Sequence, residues 1–179
     1  MTVRSALLGA MLVALPALAS AQQPAPPAAA ATQAPPAPPA PPSAADSAAI
    51  RKVVVDLFDG MRQRDTAKLR AQFAPEARLM SVGMRQGAPH IQIDAIDGFI
   101  SGIPKAPAGL LLDERLFNTE LRIDGPLATV WTEYDFYAGP NFSHCGVDAF
   151  QLAKTAGGWK IVQLTDTRQR AGCARAPKK

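Results

Sequence analysis

The sequence predicts an α+β fold, with three N-terminal helices packed on a curved, mostly antiparallel sheet. Three observations carry this expectation. Apolar residues recur at helical spacing early in the domain, and four long segments divided by turn residues fill its second half. Strands and helices nowhere alternate as a parallel sheet requires.

The first helix is marked by Ile50, Val53, Val54, Leu57, Phe58 and Met61, a single stripe at helical spacing. Ser43 with Asp46 three residues later resembles a capping box at its start, and Gly60 weakens its last turn. Asp65 caps a second helix over 66–73, which Pro75 stops. A short strand is expected over 77–82, then a loop over 84–90 containing Gly87 and Pro89. A third helix follows Asp94, with Ile96, Phe99, Ile100 and Ile103 as its buried stripe and Pro104 and Pro107 at its end. The four strands run over 110–123, 127–137, 142–154 and 159–167. Asp124-Gly125, Gly139-Pro140-Asn141 and Ala156-Gly157-Gly158 separate them as turns.

The ends of the chain differ from this domain, which is expected over 46–170. Residues 1–21 read as a signal peptide: Arg4, an apolar run over 6–18 broken by Pro16, then Ala19-Ser20-Ala21 as a cleavage site. The run is shorter than the ~20 residues of a spanning helix, with an uncleaved anchor as the alternative. Residues 22–45 are nearly all Pro and Ala and carry no charge. They lack the large apolar side chains that would offset ordering, and so read as a disordered linker. Residues 171–179 form a basic tail. The expected product is exported, periplasmic or secreted, with no membrane contact after signal cleavage.

The formal net charge of +4 belongs to the ends, because residues 46–167 hold 13 basic and 15 acidic side chains. A nucleic-acid partner needs a basic face to displace counterions, and this domain has none. No Gly-rich loop leads from a strand into a helix, and no G-x-S-x-G elbow occurs. The two histidines, His90 and His144, have no zinc-site spacing. Neither a metal nor a cofactor is therefore expected.

Two stretches carry a family resemblance. Leu57-Phe58-Asp59-Gly60-Met61, then Asp65, then Phe73-Ala74-Pro75 look like the start of the nuclear transport factor 2-like, or SnoaL-like, superfamily. Phe150-Gln151-Leu152-Ala153-Lys154 through Gly158-Trp159-Lys160-Ile161 is similar to its last hairpin. The resemblance implies a conical roll enclosing a pocket, often dimeric through the sheet. It implies no single activity, since the superfamily includes isomerases, cyclases, dehydratases and non-catalytic binders.

Hairpin register sorts the polar residues into two candidate sites. Pairing Tyr137 with Phe142 sets Asp135 opposite His144 and Trp131 opposite Asp148; pairing Thr155 with Gly158 sets Asp148 opposite Thr165. One face then carries Asp135, His144 and Asp148, with Trp131 beside them as a candidate ligand-binding residue. Asp135 would orient His144 there as a general base, with Asp148 nearby, for isomerisation, dehydration or ring closure. An exposed polar face or a dimer interface is the alternative. The other, more apolar face carries Tyr134, Asp166 and Arg168 around the mouth of a pocket for a small, largely apolar ligand. Tyr134 could bind a ligand oxygen and Arg168 an anion, or Arg168 could pair with Asp166. A third possibility is a non-catalytic interaction module that dimerises through its sheet.

Cys145 and Cys173 are the two cysteines. An even count in an exported chain favours one disulfide pinning the tail to a strand, against a free reactive thiol. His144 and Cys145 point to opposite faces of a strand, which argues against a Cys–His nucleophile.

Overall fold

The structure, a computed structural model, describes residues 43–175. The expected signal peptide, nearly all of the linker and the last four residues lie outside the described residues. The elements are α1 (Ala44–Gln63), α2 (Thr66–Gln72), β1 (Phe73–Arg85), β2 (Ala88–Asp94) and α3 (Ile96–Gly102), with a 3-10 turn at Ile103–Lys105. Then come β3 (Leu112–Asp124), β4 (Leu127–Ala138), β5 (Asn141–Thr155) and β6 (Gly158–Thr167). One six-stranded sheet results, in the order β2-β1-β6-β5-β4-β3. Its ladders are antiparallel except β1–β6, which is parallel.

Helix α1 begins where the capping pattern places it. The Asp46 amide donates to Ser43 Oγ at 3.0 Å, and that hydroxyl donates to Asp46 Oδ2. Asp46 also accepts from Trp159 Nε1 at 2.8 Å and pairs with Lys154 at 2.7 Å, which ties the start of α1 to the β5–β6 hairpin. Ile50, Val54, Leu57, Phe58 and Met61 are buried against the inner sheet face, where Phe58 meets Phe150 edge-on at 6.3 Å. Gly60 is a site of close approach as well as a weak helix former: a Cβ there would stand 3.0 Å from Leu69 Cγ of α2. Arg64 ends α1 in the left-handed conformation, and its guanidinium holds the carbonyls of Ala106, Pro107 and Leu110 in the segment before β3.

Two expectations for local structure are corrected. Helix α2 ends at Gln72 rather than at Phe73, and Pro75 lies inside β1. The β1–β6 register shifts between Phe73 and Arg78, so Pro75 falls where the ladder is interrupted and no donor is missed. The expected loop over 84–90 is a hairpin. Gln86 and Gly87 both have positive φ, as a tight type I′ turn requires, and Pro89 sits on the edge strand β2.

Three bulges decide which side chains face the helices. Tyr137 does pair with Phe142 and Thr155 with Gly158. Ser143 is then an extra residue in β5, so His144 pairs with Phe136 and Asp135 with Cys145. Val162 is an extra residue in β6, so Asp148 pairs with Asp166, not Thr165. A third shift in β3 lies at Asn118-Thr119, with Asn118 in the left-handed region at φ 51°. Each inserted residue reverses the in–out alternation beyond it.

Cys145 and Cys173 form a disulfide, which removes the free-thiol alternative. The chain after β6 is held to β5 by paired backbone bonds between Cys145 and Gln169. Arg175 lies over the Phe117 ring at 4.0 Å and pairs with Glu133 and Asp135. No helix among the described residues is long and apolar enough to cross a membrane.

Candidate ligand pocket

Between the helices and the inner sheet face lies a cavity of about 220 Å³. Leu57, Phe58 and Met61 of α1, with Phe99 and Ile103, form its helical wall. Phe136 and Leu164 continue that apolar lining on the sheet. At one end the lining turns polar: Glu114, Tyr134, His144, Asp148, Asp166 and Arg168 come together there. The bulges thus bring His144 and Asp148 onto the face of Tyr134, Asp166 and Arg168, joining two groups expected on opposite faces.

Two expected members lie elsewhere. Asp135 is on the outer face opposite Cys145, 2% exposed, with Oδ2 accepting from Arg175 Nε at 3.1 Å. It does not touch His144, because Ser143 shifts the register by one. Trp131 is also on the outer face, opposite Ala149 rather than Asp148, and 53% exposed.

Within the polar end, several groups are already satisfied. Asp166 accepts from Ser81 Oγ and from Arg168 Nε, so Arg168 spends charge on its neighbour. Burial opposes the Arg168 charge, but the hydrogen bond and charge of Asp166 outweigh it and hold the guanidinium above its ordinary pKa. The Tyr134 hydroxyl donates to Thr167 O at 2.8 Å, and burial followed by the charge of Glu114 raises its pKa. His144 Nδ1 shares a hydrogen bond with Ser143 Oγ at 3.0 Å, and its ring packs on Phe136 and edge-on to Tyr134. Burial, then the charge of Arg168, lowers the His144 pKa, so the imidazole is neutral at neutral pH.

The remaining pair is different. Asp148 is 3% exposed, and its Oδ2 has no hydrogen-bond partner. Burial pushes its pKa up to about 7 against the opposing hydrogen bond with Glu114, with the charge of Asp166 adding to the rise. Glu114 is raised well above the usual carboxylate range by burial first and the Asp148 charge second. Two carboxyl groups within hydrogen-bonding reach in a desolvated site share a proton rather than both ionise. Sequence reasoning missed Glu114. It alternates in phase with Leu112 and Leu116, an acid at an apolar position of β3, but the bulge at Asn118 conceals that phase from Leu121 and Ile123.

The profile of a family described as "Putative lumazine-binding" matches residues 45–165. The chain belongs to that family. Its fold is NTF2-like, as solved structures show. An NTF2-like protein with a cystatin-like fold from Novosphingobium aromaticivorans superposes with TM-score 0.59 at 15% identity, over 74% of this chain and 86% of that one. An NTF2-like protein of unknown function from Silicibacter pomeroyi gives 0.52 at 21% identity, over 69% and 95%. A protein described as "a putative dehydratase from the NTF2-like family", from Streptomyces avermitilis, gives 0.54 at 14%, over 71% and 98%. Identities this low establish the fold alone. No curated protein matches the chain.

Proposed function

We propose that this chain binds a small, largely apolar organic molecule inside the cone. The observation that carries this is the cavity of about 220 Å³, apolar on its helical wall and polar at one end. The family's description, which names a small heterocycle, supports a small organic ligand. Native mass spectrometry of the protein purified from an oxidising compartment tests it: a reproducible added mass is expected. Leu164→Trp, which fills the cavity, should remove that mass. A bare chain, with no thermal shift from any small apolar compound, overturns the proposal.

A second reading is a cofactor-independent isomerase, cyclase or dehydratase. It is favoured by Asp148 titrating at about 7 in the same pocket as a neutral His144, a poise suited to moving protons near neutral pH. The description of the Streptomyces avermitilis neighbour agrees with it. In this reading the Glu114–Asp148 pair gives a proton and His144 accepts one.

Two further elements complete the proposal. The signal-like residues 1–21 and the disulfide support export to the periplasm or medium. The cross-strand row Trp131–Ala149–Thr165–Met80–Ile93 on the outer face supports a homodimer through the sheet, since Trp131 and Ile93 are 53% and 70% exposed. Light scattering of Ile93→Asp should then give a monomer where the parent chain gives a dimer.

A further inference from the structure

We propose that the ligand carries a protonated amine, seated between the carboxyl groups of Glu114 and Asp148. This rests on the reading above, that the cone holds a small apolar molecule, and adds the chemistry of its polar end.

The argument begins with what is left unsatisfied. Asp166 is held by Ser81 and Arg168, Tyr134 by the Thr167 carbonyl, and His144 Nδ1 by Ser143. Of the acids that line the cavity, only Asp148 has a buried oxygen, Oδ2, with no partner. An orphaned buried carboxylate oxygen is costly unless something donates to it.

Charge points the same way. Arg168 and Asp166 cancel, His144 is neutral, and the Tyr134 hydroxyl stays protonated. From α1 and α3 only apolar side chains line the cavity. The Glu114–Asp148 pair is therefore the uncompensated charge, and it is negative. Among the described residues no three of His, Cys, Asp and Glu are grouped to hold a metal ion, so the pair suits an organic cation. An ammonium group would donate to both carboxylates, displace the shared proton and lie near the aromatic rings of Phe58 and Phe136.

Because binding expels a proton from the pair, affinity should rise with pH until the pair is ionised. The facing groups that bear on this are Asp166, Arg168, His144 and Tyr134.

Calorimetry with benzylamine, benzyl alcohol and phenylacetate against the folded chain tests the proposal. At about pH 7.5 benzylamine should bind about tenfold or more tighter than benzyl alcohol, and at about pH 5.5 that advantage should shrink about tenfold. Glu114→Gln and Asp148→Asn should each abolish the preference while leaving benzyl alcohol binding in place, which separates lost charge from lost fold. Equal binding of amine and alcohol overturns the amine seat and leaves the apolar pocket standing. Tighter phenylacetate binding also overturns it, and moves the polar contact to Arg168. Binding of none of the three overturns both.

Discussion

Confining Glu114 and Asp148 to one end of the cavity works against their ionisation, and that cost has a pH signature. Asp148 has a folded pKa raised from the model-compound 3.8 to about 7. Its contribution to stability is complete below about pH 4 and is lost as pH rises through about 7. Asp148→Asn should therefore gain on the order of 2 kcal/mol over the parent at about pH 8 and nothing at about pH 4, measured by urea unfolding. Gly146 sets a second constraint. It lies under the Tyr134 ring, where a Cβ would stand 2.8 Å from Tyr134 Cε1 and overlap Thr167 O. Gly146→Ala should cost about 2 kcal/mol or more and break the Tyr134–Thr167 hydrogen bond, whereas Tyr134→Phe should cost only about 1 kcal/mol. At this scale the polar inventory was legible in the sequence, but its arrangement was not. Strict alternation pairs His144 with Asp135, and Trp131 with Asp148, because one extra residue, Ser143, leaves no compositional mark on the strand. Glu114 is hidden by the same kind of insertion, at Asn118-Thr119 in β3, two strands away.

The secondary elements were more legible where they end in side-chain chemistry. Ser43 and Asp65 cap α1 and α2 as their spacing predicts, since each offers an oxygen to an amide three residues on. Ser43→Ala should lower stability by about 1 kcal/mol without changing the sheet, read by thermal melting with far-ultraviolet dichroism. Asp46 links the same helix start to Lys154 and Trp159, whose hydrogen bonds, in that order and with that of Ser43, hold its carboxyl down at about 2. Stability from that contact is present above about pH 4 and lost as pH falls through about 2. Strand β2 was unreadable. Ile91 and Ile93 are exposed, His90 and Gln92 alternate with them, and Pro89 argues locally against pairing. Such an edge strand forms only because β1 presents its free side to it.

At the scale of the whole molecule, the disulfide holds the described start of the tail, 171–175, to the outer face of the sheet. Cys173→Ser should lower stability by about 3–4 kcal/mol in the chain-entropy account of a 28-residue separation. It should also speed tryptic cleavage after Arg170, as the segment covering Asp135 loosens. A second whole-molecule feature is the parallel ladder, in which Leu79 of β1 lies beside Leu164 of β6. The hairpins from β3 to β6, like β1–β2, close from neighbouring residues, but the second edge of β1 pairs with a strand some 85 positions further along the chain. Loop closure of that length is slow. The β3–β6 meander and the β1–β2 hairpin each close from local contacts, and the parallel β1–β6 ladder joins them. The cavity, lined by Leu79 of β1 as well as by residues of β3 to β6, is complete only once that ladder has closed.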